Sequence, residues 1–94
     1  MSKKVAVFYS RDALKFLKKV DTVAAKRIVN KIKTNARQPN PLHRAKPLQG
    51  DLLGKYRYRI GAYRAVFIIN DNEAVVILSI LKISHRKDVY KSKG

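Results

Sequence analysis

Apolar positions along this chain recur first at strand spacing, then at helical spacing, then at strand spacing again. Val5 to Tyr9 reads as a first strand, followed by Ser10 as a helix N-cap with Asp12 in the first turn, where a carboxylate suits the helix dipole. Ala13, Leu14, Phe16, Leu17 and Val20 then keep helical intervals, with Lys15, Lys18 and Lys19 on the opposite side. Asp21-Thr22 restarts the pattern. Val23, Ala24, Ile28, Ile32 and Ala36 form a second stripe, with Lys26, Arg27, Lys31 and Lys33 outward, so an antiparallel helix pair is predicted. Gln38-Pro39-Asn40-Pro41 stops the second helix, because proline lacks an N–H and disfavours helical geometry in the residue before it.

Leu42 to Leu53, with Pro47 and Gly50 inside and Gly54 next, is expected to be an ordered connection leading into a sheet. Three strands should follow at Tyr56–Ile60, Tyr63–Asn70 and Glu73–Lys82, joined by turns at Gly61-Ala62 and Asp71-Asn72. Ser84 to Gly94 is polar and basic, with a short helical turn expected around Lys87 to Tyr90. The predicted class is α+β: an N-terminal strand, a helical hairpin and a three-stranded antiparallel meander, with the helices on one face of a small, mostly antiparallel sheet. Residues 1–94 suffice for a single domain with one modest core. The other face of the sheet is left free.

What occupies that face changes the picture. In Lys55-Tyr-Arg-Tyr-Arg-Ile the alternation puts Lys55, Arg57 and Arg59 on one side and Tyr56, Tyr58 and Ile60 on the other. No carboxylate lies within that strand to offset the like charges, and the whole chain carries 22 Lys and Arg against six acids, a formal net charge of +16. A polyanion is the expected partner, with phosphate held by the planar fork of arginine and the more mobile charge of Lys55. Arg64, just past the Gly61-Ala62 turn, shares strand parity with Val66 and Ile68, and an apolar surround would strengthen its pull on an anion.

Several chemistries are excluded or disfavoured. The chain has no cysteine, hence no disulfide, thiolate metal site or Cys nucleophile, and a reducing cytoplasm fits it. No apolar run approaches the roughly 20 residues that cross a bilayer, so no membrane association is expected. The acids Asp12, Asp21, Asp51, Asp71, Glu73 and Asp88 are scattered, His43 and His85 are far apart, and glycine-rich phosphate loops are lacking. No metal site and no cofactor are expected. His43 reads as structural. His85-Arg-Lys-Asp-Val-Tyr90 gathers an imidazole, cations and a phenol with the parts for proton transfer or for stacking on RNA. RNA cleavage without metal would have to use cations to stabilise the pentacoordinate phosphate while the ribose 2′-OH attacks it.

Lys46-Pro-Leu-Gln-Gly-Asp-Leu-Leu-Gly, Tyr56-Arg-Tyr-Arg-Ile-Gly-Ala-Tyr-Arg and His85-Arg-Lys-Asp-Val-Tyr, in this order, resemble the RelE branch of the RelE/ParE toxin superfamily. The resemblance implies a cytoplasmic toxin of a toxin–antitoxin pair, a metal-independent endoribonuclease that cuts mRNA in the ribosomal A site. It implies Arg64, His85, Tyr90, Lys55 and Arg57 as catalytic residues: Arg64 at the scissile phosphate, Tyr90 stacking on or helping to activate the attacked nucleotide, and His85 as proton donor supported by Arg86. Lys46, Arg59, Arg86 and Lys87 would bind RNA, and Asp51 matches no catalytic carboxylate. The implied partners are a cognate acidic antitoxin, mRNA and the ribosome with its 16S rRNA. Two alternatives share the expected fold: a ParE-like DNA gyrase inhibitor and a non-catalytic RNA-binding protein.

Overall fold

A computed structural model describes residues 4–72 and 74–86. Strand β1 (Lys4–Tyr9) leads into helices α1 (Arg11–Lys19) and α2 (Thr22–Ala36), followed by β2 (Ala45–Pro47), a 3-10 turn (Gly50–Leu52), β3 (Tyr56–Ile60), β4 (Tyr63–Asp71) and β5 (Val75–His85). The strands form one sheet in the order β1-β5-β4-β3-β2, antiparallel except where β1 runs parallel beside β5. The predicted Lys87–Tyr90 turn, and with it Lys87 and Tyr90, lies outside the described residues.

Both helices start where their caps dictate. Ser10 Oγ accepts from the Ala13 N–H at 3.0 Å, and Asp21 Oδ1 accepts from the Ala24 N–H at 2.8 Å. The apolar stripes then seal one side of the sheet. Ala13, Ile28, Ile32 and Ala36 are buried together with Tyr58, Ile60, Ala65, Phe67, Val76, Leu78, Ile80 and Ile83. Tyr58 and Phe67 stack with ring centroids 4.3 Å apart, and the Tyr58 hydroxyl donates to the Pro41 carbonyl at 2.7 Å, tying the loop after α2 to the core. Burial pushes the Tyr58 phenol up to about 12.

The structure departs from the sequence-based expectations in four places. Val23, assigned to the buried stripe, is 69% exposed, whereas Asn35 joins the core. The Leu42–Leu53 connection contains β2, a three-residue edge strand pairing Lys46 with Arg57 and Pro47 with Tyr56. Its brevity, proline and lysine suit an edge that gains no further strand. The β4–β5 loop is centred later than Asp71-Asn72: Asn72 Oδ1 accepts from the Ala74 and Val75 N–H groups, each at 2.9 Å. Finally, Ser84 and His85 belong to β5 and not to a polar tail. The Gly61-Ala62 turn is where it was expected, with positive φ at Gly61 alone, the pattern of a type II′ hairpin.

Strand β5 also carries a bulge. Phe67 pairs with Ile80 but Val66 pairs with Lys82, so Leu81 is the extra residue. Strict alternation after Val76, Leu78 and Ile80 would aim Lys82 into the core; the bulge instead returns Ile83 to the core and Lys82 to the opposite face. Ser10 clasps this point, its Oγ donating to the Leu81 carbonyl at 2.7 Å and its N–H to the Ile80 carbonyl at 2.9 Å.

Candidate functional site

The helix-free face of the sheet brings the cations into rows. Because Tyr58, Ile60, Ala65 and Phe67 face the helices, Arg57, Arg59, Arg64 and Val66 face the other way. One row runs Arg59, Arg64, Ser84; the next runs Lys46, Arg57, Val66, Lys82. Two cross-strand pairs, Lys46 with Arg57 and Arg59 with Arg64, are therefore like-charged and directly opposite, an arrangement that destabilises a sheet on its own. Among the described residues, strands β3 to β5 place no acid in these rows. A phosphate between such side chains converts repulsion into attraction.

Arg64 is distinct within this group. It is half-buried, and its Nε is shielded from solvent with no hydrogen-bond partner. An enclosed guanidinium N–H without an acceptor is costly, and an incoming oxyanion would supply the missing one. Arg57 and Lys55 are also half-buried, whereas Lys46, Arg59 and Lys82 are exposed, so half-buried cations stand among exposed ones. Lys55 lies just before β3, held by its backbone: its N–H donates to Leu52 and its carbonyl accepts from Leu48.

The C-terminal end of β5 adds two further residues. The Arg86 N–H donates to the Ala62 carbonyl at 2.7 Å, so the segment beyond β5 begins at the β3–β4 turn, the end of the sheet where Arg59 and Arg64 stand. Arg86 is exposed there. His85 lies on the other face. It pairs with Tyr63, its ring meets the Tyr63 ring edge-on at 5.3 Å, and Tyr63 in turn meets Phe16 of α1 at 5.9 Å. Of the expected site residues, Lys46, Arg57, Arg59 and Arg64 share the open face, Lys55 directly precedes β3, Arg86 sits at the end of that face, and His85 is turned toward the helices.

Lys82 is the cation that the sequence reading missed. Its row became visible only with the Leu81 bulge, which reverses the parity of β5. His43 is exposed in the turn after α2, where its backbone N–H donates to Asn40. Among the described residues, no group of three His, Asp or Glu side chains comes together, and no helix is long and apolar enough to cross a membrane.

Residues 7–90 match the family described as ParE toxin of type II toxin-antitoxin system, parDE. Toxin RelG of Mycobacterium tuberculosis is 39% identical over 51 residues, 54% of this chain and 56% of that protein, so the match spans about half the length of this relative. Among solved structures, a chain of the RelBE2 toxin–antitoxin complex of M. tuberculosis superposes with a TM-score of 0.73 at 29% identity, covering 92% of this chain and 98% of that one. A chain of the RelB–RelE antitoxin–toxin complex of Methanococcus jannaschii shares the fold with a TM-score of 0.65 at 23% identity, covering 90% and 96%.

Proposed function

Since this chain belongs to the ParE toxin family of type II toxin–antitoxin systems, within the RelE/ParE superfamily, we propose that it acts as a metal-independent endoribonuclease that cleaves mRNA on the ribosome and so arrests translation in the cytoplasm. The observation that carries this reading is Arg64, a half-buried arginine with an unpartnered Nε, directly opposite Arg59 in strand rows that hold no acid among the described residues. Such a group is suited to a phosphate whose charge grows during reaction.

In this reading the backbone of the RNA lies along Lys46, Lys55, Arg57 and Arg59, with Lys82 and the exposed Arg86 at its margins. The ribose 2′-oxygen attacks the neighbouring phosphorus, the P–O5′ bond breaks, and a 2′,3′-cyclic phosphate and a 5′-hydroxyl result. Arg64 stabilises the pentacoordinate intermediate. One proton leaves the 2′-OH and another reaches the departing 5′-oxygen. His85, packed on Tyr63 behind the sheet, is assigned to anchoring the strand end, and proton transfer to the segment after it, where Tyr90 is the aromatic ionisable group and Lys87 an added RNA contact. The strong positive charge supports a cognate acidic antitoxin as partner, as does the likeness to a chain of the RelBE2 toxin–antitoxin complex.

A second reading, a DNA gyrase inhibitor on the same fold, draws on the ParE description of the matched family. Induction in cells followed by mapping of RNA 5′ ends separates the two. The ribonuclease reading expects in-frame cuts within translated codons; intact mRNA with an SOS response would overturn it in favour of gyrase inhibition.

A further inference from the structure

The open face has a second half that the cations do not explain. Val5, Val7 and Tyr9 of β1 pack against the core, which turns Phe8 outward, and there it is 59% exposed. Its register partner is Ser79 of β5, which in turn pairs with Ile68 of β4, 41% exposed. An aromatic ring and a branched side chain thus stand on either side of a small hydroxyl residue, with two strand spacings, about 10 Å, between their backbones. That interval leaves room for one flat ring between the two side chains, and Ser79 Oγ on the floor can donate to or accept from the edge of a base.

We propose that Phe8, Ser79 and Ile68 form a stacking subsite for one nucleobase of the single-stranded RNA whose phosphate lies at Arg64. The inference rests on the ribonuclease reading and deepens it, because it names a base contact on a surface otherwise made for phosphates. Continuity with the cationic rows selects RNA as the occupant. Lys82 lies on the same strand as Ser79, just beyond the bulge, and Val66 and Arg64 follow Ile68 back along β4 on the same face. Four residues along β4 and two strands across put Phe8 about 16 Å from Arg64, a reach of a few nucleotides of extended chain. Exposed aromatics on a positively charged sheet are the usual means by which proteins hold unpaired bases. The subsite would bias where the RNA is cut, by favouring bases that stack well at a fixed distance from the scissile phosphate.

The test measures binding of the full chain to short, fully 2′-O-methylated single-stranded RNA, which lacks the attacking hydroxyl, by fluorescence anisotropy over a range of salt. Phe8→Ala is expected to weaken binding by about 5- to 100-fold without changing the salt dependence, as the loss of one stacked base does. Phe8→Tyr and Phe8→Trp should restore affinity and Phe8→Leu should not, which separates stacking from mere apolar contact. Arg59→Gln, as the control on the parent reading, should lower the salt slope by about 0.7, one phosphate contact on a single strand. If Phe8→Leu binds like the wild type, or Phe8→Ala is silent while Arg59→Gln weakens binding, stacking is overturned and the phosphate-binding reading stands. A silent Phe8→Ala that instead weakens the complex with a protein partner assigns the patch to that partner and also overturns stacking. If neither variant weakens RNA binding, both readings fall.

Discussion

The β3–β4 hairpin has two faces whose side chains are treated in opposite ways by the rest of the chain. Toward the helices, Tyr58, Ala65 and Phe67 are fully buried, stacked and, in the case of the Tyr58 hydroxyl, hydrogen-bonded within the molecule. Away from them, Arg59 opposes Arg64, Lys46 opposes Arg57, and Arg64 Nε has no acceptor. Residues one position apart thus divide between holding the fold together and straining it. The lesson is that stability and function should separate by strand parity.

Substitutions chosen on either face break or sharpen that contrast. The largest effect is expected from Phe67→Ala, which empties a fully buried aromatic site and should cost about 3–5 kcal/mol in urea denaturation. Tyr58→Phe should cost about 1–2 kcal/mol, because it leaves the Pro41 carbonyl without its donor. The same residue sets a pH dependence. With the folded phenol at about 12, above the ordinary tyrosine value near 10, the folded state holds this proton more tightly. That contribution is complete below pH about 10 and is lost as pH rises toward 12. Thermal midpoints taken across this range should fall, and Tyr58→Phe should flatten the portion that Tyr58 contributes.

Ser10→Ala is expected to cost about 1 kcal/mol through the lost cap. It also removes the hydroxyl that clasps Leu81, and so should loosen the bulge that presents Lys82. A lowered salt dependence of RNA binding in this variant would show that the bulge serves the open face; an unchanged one would confine Ser10 to capping. Smallest of all, Arg59→Gln should leave stability unchanged or raise it by a few tenths of a kcal/mol, by relieving its repulsion with Arg64. A loss of stability there would contradict the strained-face account.

How far the sequence discloses these faces depends on how regular each strand is. Lys55 to Ile60 alternates without interruption, so its division into charged and buried sides could be read directly, and the caps at Ser10 and Asp21 follow from short-range chemistry. Strand β2 could not be read, since three residues including a proline carry no period. Lys82 was hidden by the Leu81 bulge, a one-residue event that only pairing with β4 reveals. Phe8 fell within a strand whose apolar residues are continuous, so nothing local says which of them meets the helices. The Ser and basic neighbours of His85 read as a polar tail, whereas pairing with Tyr63 extends β5 through it.

The account is tested most directly by measuring stability and RNA cleavage together for Arg64→Ala. The open-face reading predicts a denaturation midpoint equal to or above that of the wild type, with cleavage reduced by about 100- to 1000-fold, the loss typical of removing one donor to a developing oxyanion. A destabilised protein, or one that folds normally and cleaves at the wild-type rate, would contradict it.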